Sequence, residues 1–278
     1  MDLNWIQSGF YGFISGLTDV LPISAQAHKA LFLKFSGIKE SASVQELMIH
    51  IAVFAALYYA SQSQLTRMRR ARALSRIPKK KRKRPLDTRS LMDWRLLITM
   101  IVPAIMGLFL YRYTASMRFN LVYISLFLAL NGIILYVPQF FSTGNRDART
   151  LSRVEGILMG LGGALSVLPG ISAVGSATAI SSVCGVEKRY ALNMTLILNM
   201  VIVSGLAVYD CLEILESGLG IISLGILLQY LLAATMAFAG TVLGIRIMRH
   251  LADNAGYSAW GVYCWGMALF IFILNLMA

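Results

Sequence analysis

Residues 20–25 read V-L-P-I-S-A and residues 167–173 read V-L-P-G-I-S-A. Each copy sets a proline and small polar residues into an apolar stretch, about half a chain from the other. Proline removes a backbone donor and kinks or breaks the helix it interrupts. In a membrane protein, two Gly/Pro-broken hydrophobic segments at corresponding places in two halves point to a buried binding site. The composition supplies that membrane. Of 278 residues, 57% are hydrophobic and 14% charged, with a mean hydropathy of +0.67, whereas a soluble domain carries about 25% charged residues. A soluble enzyme is excluded.

Working outward, six stretches are long enough to span a bilayer, which takes about 20 apolar residues: near 44–62, 94–112, 119–140, 190–212, 220–245 and 257–277. The two broken segments lie near 9–35 and 154–183. The expected fold is an all-α polytopic membrane protein of six transmembrane helices plus two re-entrant helical hairpins. It forms one domain, built as inverted repeats of about 1–141 and 142–278. Met1 to Gly9 holds Asp2 and no basic residue, so no cleavable signal peptide is expected. Cys184, Cys211 and Cys264 lack metal-ligand spacing and read as core thiols.

The net charge of +12 is local: Arg67 to Arg89 contains twelve Lys/Arg against one acid, Asp87. A mobile basic loop over 63–93, including the run from Lys79 to Arg84, fits the positive-inside rule and is expected in the cytoplasm. Attraction to anionic lipid is the alternative; nucleic acid is not an expected partner, because no recognition fold accompanies the charge. This orientation puts both termini outside, Arg146, Arg149, Arg153, Lys188, Arg189, Arg246 and Arg249 inside, and Asp210, Glu213 and Glu216 outside. Lys39, Arg112 and Arg118 dissent. The two hairpins then enter from opposite faces.

Non-helical backbone at membrane depth must be buried by protein or wetted by a cavity, and inward-pointing helix N-termini suit an anion. After Pro169, Gly170, Ser172, Gly175, Ser176 and Thr178 are small enough for a phosphate to approach; small-residue helix packing explains them equally well. Asp19 and His28 flank Pro22, and intramembrane ionisable groups are default functional candidates. The two could share one polar cavity, or each could be satisfied locally. His50, inside I-H-I-A, is either a third cavity group or a structural one.

These residues carry a resemblance. From Gly12, G-F-I-S-G-L-T-D-V-L-P-I-S-A-Q-A-H resembles the first signature of the undecaprenyl pyrophosphate phosphatase, or bacitracin-resistance (BacA), family, which runs approximately G-x-x-E-G-L-T-E-F-L-P-x-S-S-T-G-H. The second broken segment resembles that family's P-G-x-S-R-S-G-x-T. Similar residues recur at Trp94, at V-P-A-I-M-G from Val102, at G-V-E-K-R-Y-A from Gly185 and at Y-C-W-G from Tyr263. The resemblance implies six spans with two re-entrant hairpins in the membrane of the cell, and removal of the terminal phosphate of undecaprenyl pyrophosphate to recycle the lipid carrier of cell-wall synthesis. It assigns catalysis to Asp19, His28 and Ser24, so that His28→Ala would abolish phosphate release. Phosphate contacts fall to Ser15, Gln26, Gly170, Ser172, Gly175 and Thr178, with Ser172 and Thr178 taken as the second signature's serine and threonine. It also implies Mg²⁺ or Ca²⁺, held by Asp19, and leaves a homodimer open.

The chain departs from the signatures where charge matters. Ser15 stands for a glutamate, Ala25 and Gln26 for Ser-Thr, Ala173 for the arginine and Val174 for a serine. Phosphoryl transfer depends on charge stabilisation, and one arginine can be worth about 10³-fold or more. Two readings therefore stand: a phosphatase with an unidentified cation in place of the arginine, or a catalytically degenerate paralogue that binds or translocates a polyprenyl phosphate.

Overall fold

The computed structural model describes residues 3–82, 85–142, 144–218, 222–254 and 256–277. Among these described residues ten α-helices carry the fold: α1 (Trp5–Val20), α2 (Ala25–Phe35), α3 (Ser43–Ser75), α4 (Thr88–Leu110), α5 (Leu121–Tyr136), α6 (Arg153–Ala164), α7 (Ala173–Val183), α8 (Lys188–Ser217), α9 (Leu224–Asn254) and α10 (Ser258–Leu276). Six are long and apolar enough to cross a membrane, namely α3, α4, α5 with the 3₁₀ turn after it, α8, α9 and α10. They coincide with the six expected spans. Large apolar side chains such as Phe109, Leu126 and Leu269 face outward from the bundle, as lipid-facing positions should. The protein is an all-helical, multi-pass membrane protein.

The basic segment differs from the expected loop. α3 runs to Ser75, so Arg67, Arg69, Arg70 and Arg72 are helical, and α4 starts at Thr88. The charges alternate with Met68 and Ala71, which are buried. That amphipathic turn packs the helix onward past its apolar core, and the Arg72 guanidinium sits 4.6 Å over the Trp94 ring. Lys83 and Arg84 lie outside the described residues. Cys264 is a buried thiol as expected, but Cys211 is exposed.

Both proline-broken segments form helical pairs. The first, α1 and α2, closes through Leu21 to Ser24; the second, α6 and α7, closes through a 3₁₀ turn at Leu165–Val167 and the residues up to Ser172. α1 begins with a capping box between Asn4 and Gln7 and packs along α9 without a gap. A Cβ built at Gly16 would lie 2.0 Å from the Ala237 carbonyl oxygen, and one at Gly12 equally close to that of Ala233. Small residues are what let two backbones approach so closely. Gly16→Leu is expected to destabilise the fold by about 3 kcal/mol, read as a lower Tm in detergent. Gly266→Leu, where a built Cβ meets nothing within 4 Å, should leave Tm unchanged.

The two turns meet inside the bundle. The Ser172 hydroxyl donates to the Leu21 carbonyl at 2.9 Å. Asn131 of α5 joins both: its Nδ2 donates to the Pro22 carbonyl at 3.0 Å and its Oδ1 accepts from the Ser172 amide at 3.0 Å. Backbone groups freed by the two prolines are thus satisfied by each other's segment and by one buried asparagine. At Gly170, φ is +120° and the backbone of Leu128 leaves no room for a side chain, so the second turn is fixed against α5.

Candidate active site

Two adjoining cavities open beside the first turn. The inner one is bordered by Asp19, Ser172, Ala173 and Asn199, the outer one by Tyr11, Ser41, Glu46, Arg118 and Asp210. Gln26, Lys29, His50 and Tyr111 border both, so the two form one polar passage. It is walled by α1, α2, α3, α8, the end of α4 with the α4–α5 connection, and the second turn with the start of α7.

Each polar group has a defined partner. The Asp19 Oδ2 accepts from Asn199 Nδ2 at 2.7 Å. Lys29 Nζ donates to Glu46 Oε2 at 2.7 Å, and the other Glu46 oxygen accepts from Ser41 and Tyr11. His50 Nδ1 donates to Asp210 Oδ2 at 2.6 Å, with both side chains about nine-tenths buried. The Arg118 guanidinium lies 4.2 Å over the Tyr111 ring. Of the five buried side-chain atoms without a hydrogen-bond partner among the described residues, two belong to residues that border the passage, Gln26 Oε1 and Arg118 Nε. A polar ligand would satisfy them.

The residues expected from the sequence divide sharply. Asp19, Gln26 and Ser172 border the passage. His28 does not. Its Nδ1 donates to the Ser24 carbonyl at 2.8 Å, its Nε2 accepts from the Tyr263 hydroxyl at 2.8 Å, and the ring stacks on Tyr263 of α10. Both ring nitrogens are committed away from Asp19, so the expected shared cavity is corrected. Ser24 caps α2 at φ 63°, the one non-glycine positive φ among the described residues, with its Oγ accepting from the Ala27 amide. Such strain costs about 1–3 kcal/mol and marks a turn held by its surroundings.

The remaining candidates are held by local contacts. The Ser15 hydroxyl donates to the Tyr11 carbonyl, and the Gly175 amide donates to Ser172 Oγ. Gly170 packs on α5. Thr178 is buried, with its hydroxyl donating back to the Val174 carbonyl. Counted without a gap from Pro169, the signature's threonine falls on Ala177 rather than Thr178, a one-residue correction of the expected correspondence.

Sequence reasoning passed over Lys29, Asn199 and Tyr111, and took Asp210 only as an outside charge and Arg118 only as a dissenting one. Lys29 had a usable signal, a cation in the interior of a broken apolar segment, five residues before Lys34 near the end of the same helix. Asn199 and Asp210 gave none beyond polarity within an apolar run. Arg118 dissents because it lies on the aromatic wall of the passage; Arg112, likewise, pairs with Glu216 at 3.5 Å.

A resident divalent cation does not fit the donor set. No group of three or more His, Cys, Asp or Glu side chains gathers among the described residues. Glu46 is consumed by Lys29, Ser41 and Tyr11, and Asp210 is engaged by His50. One carboxylate, Asp19, faces the inner cavity, whereas Mg²⁺ and Ca²⁺ sites draw several oxygen ligands.

The likeness to known proteins runs nearly end to end. A 273-residue alignment with the undecaprenyl-diphosphatase of Methanobrevibacter smithii is 28% identical and covers 96% of each chain. Undecaprenyl-diphosphatase 1 of Shouchella clausii is 26% identical over 98% of this chain and 97% of its own. The undecaprenyl-diphosphatase of Thermosipho melanesiensis is 26% identical over 95% and 97%. With a passage built around the first turn, a second turn locked against it, and residues 9–270 matching the family as a whole, the chain belongs to the bacitracin resistance protein BacA family.

Proposed function

We propose that this protein removes the terminal phosphate of undecaprenyl diphosphate, or a closely related polyprenyl diphosphate, within the passage beside the first turn. The observation that carries the reading is that Lys29 and Ala173 border the same cavity. The cation missing at the second signature is replaced from the first helical pair, by Lys29 of α2. A retained cation, free polar atoms on Gln26 and Arg118, and relatives named undecaprenyl-diphosphatase all favour catalysis over a degenerate carrier.

In this reading both helical pairs are re-entrant, and the substrate comes from the outer leaflet. Glu40, Ser41, Phe119 and Glu213 border the mouth, at the end where α3 begins and α8 finishes. The arginines of α3 lie at the opposite end, which the positive-inside rule assigns to the cytoplasm. The α1 start and the α10 end then lie outside. Lys29 and Arg118 neutralise phosphate charge, Gln26 accepts from a phosphate hydroxyl or water, and Asp19, fixed by Asn199, orients the attacking water with its second oxygen. No step is assigned to a metal. The expected Mg²⁺ or Ca²⁺ would have to arrive with the diphosphate.

The test is phosphate release from undecaprenyl diphosphate by purified protein in detergent, with Mg²⁺, with Ca²⁺ and with chelator. Release above a no-protein control in any of the three supports the reading. Saturable binding of the lipid with no release in all three would sink it.

A further inference from the structure

Resting on the phosphatase reading, the geometry points to His50, oriented by Asp210, as the general base that activates the attacking water in this chain. His50 comes from the second turn of α3 and Asp210 from the last third of α8, 160 residues apart. Nothing in either signature includes them. Their contact at 2.6 Å is nearly buried, and it fixes the imidazole with Nδ1–H toward the carboxylate. In the tautomer with its proton on Nδ1 the lone pair lies on Nε2, which has no hydrogen-bond partner among the described residues, and the side chain borders both cavities. A nitrogen base held by a carboxylate and open to a polar cavity is the arrangement that proton abstraction requires. His28 offers no such nitrogen, because its Nε2 accepts from Tyr263 and its Nδ1 donates to Ser24.

The step balances as a hydrolysis. Water gives one proton to His50 Nε2 while its oxygen bonds to the terminal phosphorus. The bond from that phosphorus to the bridging oxygen breaks, and its electron pair stays on the oxygen of the departing polyprenyl monophosphate. The imidazolium then gives its proton to that oxygen or to solvent, which restores the base. Asp210 stabilises the imidazolium without taking the proton. The other charged groups bordering the passage are Asp19, Lys29, Glu40, Glu46, Arg118 and Glu213; Lys29 and Glu46 already pair with each other.

The experiment compares wild type, His50→Ala, His50→Gln, Asp210→Asn and His28→Ala for phosphate release, each first checked for a monodisperse elution profile. His50→Ala and His50→Gln are expected to lower kcat by about 10²–10⁴-fold with KM nearly unchanged, and Asp210→Asn by less. Imidazole added to His50→Ala should restore part of the lost rate, an effect that repair of packing alone would not produce in the glutamine variant. His28→Ala should lose less than His50→Ala. If a monodisperse His50→Gln keeps kcat within about threefold of wild type, or if His28→Ala alone is rescued by imidazole, the assignment is overturned while the phosphatase reading stands. A wild type that binds lipid but releases no phosphate overturns both.

Discussion

Replacing Lys29 by methionine together with Glu46 by glutamine is expected to lower kcat/KM for phosphate release by about 10²–10³-fold, the range seen when one preorganised charge stabiliser is removed. The paired change matters. Lys29 and Glu46 are 2.7 Å apart and mostly buried, so removing one alone would strand the other, a loss of about 3–5 kcal/mol that would unfold the protein rather than probe its chemistry. Exchanging both for neutral residues of similar volume is often close to neutral for stability. The informative arm is then Ala173→Arg added to the double variant. Ala173 borders the same cavity as Lys29, and the family's second signature carries arginine there. A guanidinium at position 173 should recover at least about tenfold of the lost activity if Lys29 has taken over its task. Loss without recovery would mean that Lys29 acts through its contact with Glu46 and Tyr11, and that the cation at the phosphate is Arg118. No loss at all would remove Lys29 from the site.

The six spans were legible because each needs only a run of apolar residues, and the two turns because proline followed by small polar residues breaks an apolar run, whereas Pro103, set among apolar residues, stays inside α4. The direction of individual side chains was not. Ala25, Gln26 and Lys29 border the passage, one and four positions apart on α2, so they share a face of a helix that turns about 100° per residue. His28 sits one residue before Lys29 and points a quarter-turn away, into α10. A motif supplies a position in the chain, and the helical period decides what that position sees. The His50–Asp210 contact lies further beyond sequence reasoning, since it depends on how α3 packs against α8. Isolated polar residues in apolar helices, such as His50, Asn131, Asn199 and Asp210, were visible one by one, but their pairing was not.

Asn131 yields the second large effect. Its side chain is fully buried and donates to the Pro22 carbonyl while accepting from the Ser172 amide, the two backbone groups at the two proline-broken turns. Asn131→Leu keeps the branched four-atom skeleton of the side chain and removes both bonds. The Ser172 amide loses its partner and the Pro22 carbonyl keeps only the weak Cys264 thiol donor at 3.7 Å; at about 1–3 kcal/mol for each unmet group, a loss of about 2–5 kcal/mol is expected, read as a much lower Tm in detergent. Activity should fall further than the remaining folded fraction explains, because Ser172 and the Leu21 carbonyl hold the turn on which Asp19 and Gln26 are mounted. Asn131→Asp separates the two roles. A protonated or ionised carboxyl can still accept from the Ser172 amide, yet only the protonated form can donate to Pro22. The aspartate variant should therefore regain part of the lost Tm at low pH and lose it as the pH rises, whereas the leucine variant should show no such dependence. Equal Tm values for wild type and Asn131→Leu would mean that the turns are held by α1–α9 and α6–α4 packing alone, and that the asparagine is dispensable to the meeting of the two segments.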